Sequence, residues 1–167
     1  MPRDGRGRLM ATRQPRNVFT NQFQITLSKN KAIPLTKAKL TLTKYRELFE
    51  KISKGDGTIR DMHHFINLIE TGAILSLKYN IHANYIVYFK SAYEELDANI
   101  VSCEEKKKVL WNYKSYSEID RVIYLYFKQL YLTSYGELEA ALDLKDKNFR
   151  STPMKLYCRG DFDNAKN

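Results

Sequence analysis

Between residues 42 and 144, apolar side chains recur every three or four positions, and this spacing confines most of the chain to amphipathic helices. One apolar face contains Tyr45, Leu48 and Ile52, and its helix is expected to stop at the Gly55-Asp56-Gly57 turn. The spacing predicts five or six short helices, and no heptad persists through three repeats, as a long coiled coil would require. We therefore predict a mainly α fold, a compact orthogonal bundle.

Capping signals predict where several of these helices begin and end. Thr58 and Asp61 have the spacing of a capping box, which satisfies backbone N–H groups in the first turn of a helix. Gly72 is a natural stop for that helix because glycine readily adopts the left-handed conformation. Two further capping boxes, Ser102 with Glu105 and Ser117 with Asp120, each predict the start of a helix. Helices are also predicted within residues 81–96 and over residues 137–144.

In the segment that precedes these helices, apolar residues recur at every second position instead. Phe23, Ile25 and Leu27 alternate with polar residues, as in a half-buried strand. Residues 39–43 alternate in the same way, although they could equally begin a helix. We therefore expect one short strand or a hairpin within residues 19–43.

Chain length and the composition of the two ends indicate the domain organisation. With 167 residues, of which 43% are apolar, the chain can form one domain with a core of ordinary size. The first residues offer little to bury, so the entropy of ordering them is not offset. The predicted parts are a disordered basic arm (residues 1–18), a helical domain (19–145, extended over 19–40) and a loosely ordered C-terminal tail (146–167).

Charge is divided unevenly along the chain. Residues 1–46 hold eleven Lys and Arg against one acid, Asp4, which gives +10, while the other residues hold 17 basic and 18 acidic side chains, which gives −1. A basic arm attached to an almost neutral body indicates a polyanionic partner. A flexible Arg-rich segment gains free energy on a nucleic acid by releasing condensed counterions. RNA is slightly favoured over DNA because the arm has no fixed helix to place in a major groove.

Candidate contact residues follow from this charge and from the aromatic content. The cations predicted to contact phosphates are Arg3, Arg6, Arg8, Arg13, Arg16, Lys29, Lys31, Lys37 and Lys39. Tyr113 and Tyr116 are the candidates for base stacking because they flank Lys114, whereas most of the 12 Tyr and 8 Phe fall on predicted core faces.

The sequence argues against catalysis and metal binding. No Ser, Cys or Lys has a recognisable nucleophile context, and no Gly-rich loop opens a helix with Lys after it. The Gly55-Asp56-Gly57 turn looks like the middle of a calcium-binding EF-hand loop, but that register places Lys54 and His63 at ligand positions. His63 and His64 are adjacent and would point about 100° apart on a helix. We predict no enzyme activity, no metal site and no cofactor.

These observations predict a non-enzymatic nucleic-acid-binding protein, with RNA slightly preferred, whose flexible arm makes sequence-independent phosphate contacts. A viral nucleocapsid-like or ribonucleoprotein component would have this layout, with a body that binds a protein partner or self-associates. The alternative is a helical adaptor or scaffold for a protein partner, with the arm serving import or solubility.

Cellular location follows from what the chain lacks. Its longest apolar run, residues 122–127, is too short to span a membrane, and two cysteines do not make a disulfide framework. We therefore expect an intracellular protein of the cytoplasm or nucleus. An organelle transit peptide is the alternative reading of the Arg-rich N-terminus.

Overall fold

The computed structural model describes residues 30–151 of the chain, with side chains described as far as residue 146. These residues contain five helices. They are α1 (Leu35–Ser53), α2 (Ile59–Lys78), α3 (Ile86–Lys106), α4 (Tyr113–Leu130) and α5 (Tyr135–Ser151), and a 3-10 turn (Ala83–Tyr85) leads into α3. The prediction of a mainly α bundle of five or six helices is confirmed for these residues.

Helix α2 lies at the centre of the bundle. Every residue from Leu68 to Ser76 is buried, so this stretch needs partners on all sides, and α1, α3, α4 and α5 all contact α2. Phe65 and Phe89, from α2 and α3, are fully buried in the common core. Complete burial of a side chain of this size contributes roughly 1.5–3 kcal/mol of hydrophobic free energy.

The predicted stop at Gly72 is wrong, although the predicted start of the same helix is confirmed. Thr58 and Asp61 form the capping box, with the Asp61 amide donating to Thr58 Oγ1 at 3.1 Å and the Thr58 amide donating to Asp61 Oδ2 at 2.9 Å. Gly72 lies in the middle of α2, where a Cβ atom would collide with the Phe89 ring. The glycine therefore allows α3 to approach α2 closely and does not end the helix.

The predicted helix start at Ser102 is also wrong. Ser102 lies inside α3, which ends at Lys106, and Lys107 follows in the left-handed conformation with φ 52°. The loop after α3 is held by Asn99, whose side chain donates to the Leu110 carbonyl at 3.0 Å and accepts from the Asn112 amide at 2.8 Å.

Helix α4 begins earlier than the predicted Ser117–Asp120 box, which lies within the helix. Its N-cap is Asn112, whose side chain accepts from the Ser115 amide at 2.8 Å. The loop contacts of Asn99 fix Asn112 in position, so a residue 13 positions earlier in the chain decides where α4 starts.

At the N-terminal end of the described chain, the second strand of the predicted hairpin is wrong. Residues 39–43 lie in α1, because Ala38, Phe49 and Ile52 of that helix reach the core. The first predicted strand lies outside the described residues, as does the predicted arm. The predicted extended segment 19–40 is helical from Leu35 onward.

One antiparallel bridge, Ala32 with Ser134, is the only β-type pairing in the described part of the chain. The Ile33 amide donates to the Thr133 carbonyl at 3.3 Å, and the Tyr135 amide donates to the Lys31 carbonyl at 3.1 Å. This bridge joins the chain before α1 to the turn between α4 and α5. At the other end, α5 continues to Ser151, six residues into the segment predicted as a loosely ordered tail.

Candidate nucleic-acid interface

The predicted phosphate contacts are only partly within the described residues. Arg3, Arg6, Arg8, Arg13, Arg16 and Lys29 lie outside them, whereas Lys31, Lys37 and Lys39 are exposed. Lys37 Nζ lies 4.8 Å from the centroid of the Tyr135 ring. Lys37 and Lys39 are two positions apart on α1 and point about 160° apart, so these two cations do not form one surface.

A second set of cations and aromatic rings does share a surface, along the outer side of α4. Successive members are spaced by four, four, three, four and three positions, which places them on one helix face. This surface, which we name the α4 stripe, consists of Tyr113, Ser117, Arg121, Tyr124, Lys128 and Tyr131.

The tyrosines of the α4 stripe are accessible. Tyr113 is 89% exposed, Tyr124 is 48% exposed and Tyr131 is 46% exposed. Aromatic rings of this size are more often buried, and three of them on one helix face form a surface that water solvates poorly. The face is therefore suited to a ligand that has flat apolar surfaces of its own.

Cations lie against aromatic rings at two places on this surface. Lys128 Nζ is 4.7 Å from the centroid of the Tyr124 ring, and Arg121 Cζ is 5.2 Å from the centroid of Tyr88, a ring that α3 contributes beside the stripe. A cation over the face of a ring is attracted by the negative charge density of that face. Each contact holds a positive charge next to a surface on which a base can stack.

Two carboxylates border the α4 stripe, and each has a cationic partner. Asp120 accepts a hydrogen bond from the Arg46 guanidinium of α1, and Glu118 Oε2 lies 3.6 Å from Arg121 Nη1. Arg121 is thus shared between Glu118 and the Tyr88 ring. Lys128 has no ion pair among the described residues, so its charge is the least compensated on the stripe.

The orientation of α4 is fixed near both of its ends by buried polar contacts. Near the N-terminal end, the Ser115 hydroxyl donates to the Glu95 carbonyl of α3 at 2.9 Å. Near the C-terminal end, Gln129 Nε2, which has two hydrogens to donate, lies 3.0, 2.8 and 3.1 Å from three acceptors, the Gly72 carbonyl, Ser76 Oγ and the Ile81 carbonyl. Because the buried face is held at both ends, the opposite face with the α4 stripe points to solvent.

The two predicted stacking residues differ in their surroundings. Tyr113 begins the α4 stripe, whereas Tyr116 lies on the side of α4 that faces α1, where its ring packs against Phe49 with centroids 4.8 Å apart. Sequence reasoning did not single out Tyr124, Tyr131 or Tyr88. The signal for the first two was their helical spacing from Tyr113, on the face opposite to the buried residues of α4.

The histidine pair lies on the surface beside an open groove. His63 and His64 are both exposed, and no cluster of three or more His, Cys, Asp or Glu side chains that could bind a metal occurs in residues 30–146. An open groove of about 360 Å³ between α1 and α2 is lined by Thr41, Lys44, Tyr45, Leu48, Asp61 and His64.

Asp61 is the acidic group of this groove, and it already has partners. Burial acts to raise the pKa of Asp61, but hydrogen bonds from Lys51 and Thr58 together outweigh it, so the pKa is lowered. Lys51 Nζ lies 3.0 Å from Asp61 Oδ2. Asp61 therefore acts as a charged helix cap within the fold.

Two findings concern the whole chain. Among the described helices, none combines the length and the apolar content that crossing a bilayer requires. Comparison with protein-family models, with curated proteins and with solved structures gives no significant match to this chain.

Proposed function

We propose that this chain is a non-enzymatic nucleic-acid-binding protein that contacts phosphates without regard to sequence through its basic N-terminal arm, residues 1–18. The observation that supports the proposal is the division of charge, +10 over residues 1–46 against −1 over the remainder. Binding of such a segment to a polyphosphate releases condensed counterions, which provides free energy without a preformed groove. Arginine suits this role because its guanidinium can hydrogen-bond a phosphate at two points.

The cationic segment continues from the arm into the described fold. No acidic residue occurs between Asp4 and Glu47, so the first three turns of α1 carry only positive charges. Lys39 and Lys44 are exposed and have no ion pair among the described residues, whereas Arg46 is paired with Asp120. A phosphate chain that leaves the arm would therefore meet further cations on α1.

Removal of residues 1–17 tests the role of the arm. The truncation removes five arginines and Asp4, which lowers the formal net charge from +9 to +5. If six cations of the full chain contact phosphates, its affinity for a fluorescently labelled RNA should fall by roughly three orders of magnitude between about 50 and 200 mM salt. The truncated chain should bind more weakly at low salt, with a shallower salt dependence and a nearly unchanged melting temperature.

A charge-preserving variant is the matched control. Replacement of Arg3, Arg6, Arg8, Arg13 and Arg16 by lysine keeps the charge, so the salt dependence should remain close to that of the unaltered chain. Equal RNA affinity of the full and truncated chains in fluorescence anisotropy would reject the proposal.

A helical adaptor that binds a protein partner is the alternative, and the open groove between α1 and α2 is the observation that favours it. Apolar and polar side chains, including Tyr45 and Leu48, line that groove, as in sites that accept a partner segment. An adaptor should show neither micromolar affinity for RNA nor a steep salt dependence in the same titration.

A further inference from the structure

We propose that the α4 stripe binds single-stranded RNA by stacking unpaired bases on its tyrosine rings. The inference rests on the proposed function, because the arm and α1 supply most of the phosphate contacts. It specifies the class of nucleic acid that the chain binds, because the stripe selects unpaired over paired bases.

The rings are placed so that each can stack a separate base. Along the helix axis, Tyr113 and Tyr124 are about 16 Å apart, and Tyr124 and Tyr131 are about 10 Å apart. These distances leave room for intervening nucleotides. Lys128 covers only one face of the Tyr124 ring, and nearly half of Tyr124 remains exposed.

Charge complementarity favours RNA over an apolar protein segment as the ligand. Arg121 and Lys128 alternate with the rings along the stripe, and phosphates alternate with bases along a nucleic-acid strand. Aromatic rings next to cations are the combination that single-strand-binding surfaces use. Lys128 is free of carboxylate partners among the described residues, so it can meet a phosphate without first breaking an ion pair.

The entry point of the arm is a second, independent observation. The bridge between Ala32 and Ser134 places the chain before α1 beside the turn that follows α4. Tyr131, the last member of the α4 stripe, lies three residues before Ser134. The chain thus enters the described fold at one end of the stripe.

Stacking also explains why the stripe is expected to bind a single strand in preference to a duplex. Bases in a duplex are stacked on one another and paired, so their faces are not available to a tyrosine on a convex helix surface. RNA loops and ends present unpaired bases, which can stack on aromatic side chains.

The experiment compares variants that lose a tyrosine ring with variants that retain an aromatic ring, all in the chain of residues 1–167. The probes are a labelled, unstructured single-stranded RNA and the blunt RNA duplex of the same sequence, both followed by fluorescence anisotropy. Tyr124→Leu, alone and combined with Tyr113→Leu, removes rings at exposed positions, while Tyr124→Phe and Tyr113→Phe retain them. Far-UV circular dichroism confirms that each variant is folded.

The expected result is a selective loss of affinity for the single-stranded RNA. Each ring removed should weaken binding of the single strand by about five- to a hundredfold, with duplex binding changed less than about twofold. The phenylalanine variants should bind both probes as the unaltered chain does.

Three other results would each overturn the inference. The first is an equal loss for both probes or no loss for either. The second is unchanged RNA binding together with reduced self-association in sedimentation velocity, which would assign the stripe to a protein contact. If the unaltered chain binds neither probe, the proposed function fails as well, and the inference fails with it.

Discussion

Glu70 is a carboxyl group buried inside the bundle, on the side of α2 that faces α5. Its side chain is 1% exposed, and its Oε2 has no hydrogen-bond partner among the described residues. Burial raises the pKa of Glu70 to about 7, against an opposing effect of Lys145 and with a smaller reinforcing effect of Asp146. The folded chain therefore holds a proton on Glu70 at pH values where the unfolded chain has released it.

This proton makes the stability of the fold depend on pH. The folded-state pKa lies above the ordinary value of 4.5, so the stabilisation from Glu70 is complete below that value and is lost as pH rises through about 7. The loss over this range is on the order of 3 kcal/mol in the free energy of unfolding. Urea denaturation of Glu70→Gln between about pH 5 and pH 8 should show a flatter profile.

Glu94→Gln, which removes a carboxyl group at an exposed position of α3, is the control for this prediction. Its pH profile should run parallel to that of the unaltered chain. If Glu70→Gln and Glu94→Gln gave the same profile as the unaltered chain, Glu70 would not be the group responsible.

At the scale of single helices, the close contact of α2 with α3 depends on Gly72. Alanine would favour the helical conformation by about 1 kcal/mol at an interior position. Here, however, a Cβ atom would collide with the Phe89 ring, and extra volume in a packed core costs roughly 1–3 kcal/mol. The steric effect should therefore exceed the propensity effect.

Gly72→Ala is predicted to lower the free energy of unfolding by about 1–2 kcal/mol in urea denaturation. Phe89→Leu should be destabilising by itself, but it should relieve part of the cost of Gly72→Ala, because the smaller side chain vacates the colliding position. A double-mutant cycle measures this coupling. Additive effects of the two substitutions would show that the ring does not limit the approach of α2 and α3.

Local sequence predicts helix boundaries only where the capping contacts are themselves local. The Thr58–Asp61 box is confirmed because both partners lie within one turn. The similar spacing of Ser102 and Glu105 occurs inside α3, where a serine and a glutamate three positions apart are simply neighbours on a helix surface. The real start of α4 depends on Asn99, and no local pattern indicates that contact.

The same reasoning explains what could be predicted of the candidate interface. Helical spacing places Tyr126 on the apolar face of α4 with Ile119, Val122 and Ile123, whereas Tyr124 lies off that face. The structure buries Tyr126 against Tyr45 of α1, with ring centroids 6.3 Å apart, and leaves Tyr124 exposed. Tyr113 could be predicted because it lies next to Lys114 in the sequence.

At the scale of the whole molecule, the described helices share one core around α2, and Trp111 reports on it. This single tryptophan lies in the loop between α3 and α4, and its Nε1 donates to the Phe49 carbonyl of α1 at 3.1 Å. Its ring contacts Phe49 and Phe65, with centroids 5.5 and 5.4 Å away. The indole therefore changes its surroundings if any of these elements separates.

We expect the bundle to unfold in one cooperative step, because helices in proteins owe most of their stability to tertiary packing and these helices share one core. Tryptophan fluorescence and far-UV circular dichroism should give coincident urea transitions with the same midpoint. A fluorescence transition at lower urea than the loss of helix would show instead that the loop around Trp111 detaches first.

The Ala32–Ser134 bridge has a final consequence for how the arm and the α4 stripe would act together. The bridge fixes the chain at Ala32 beside the end of the stripe, so an arm and a stripe that both bind RNA, as proposed, would form a bivalent pair on one molecule. Once either half holds an RNA strand, the other meets that strand at an effective concentration in the millimolar range for a short linker. Avidity of this kind lets two individually weak contacts retain a strand while each exchanges rapidly.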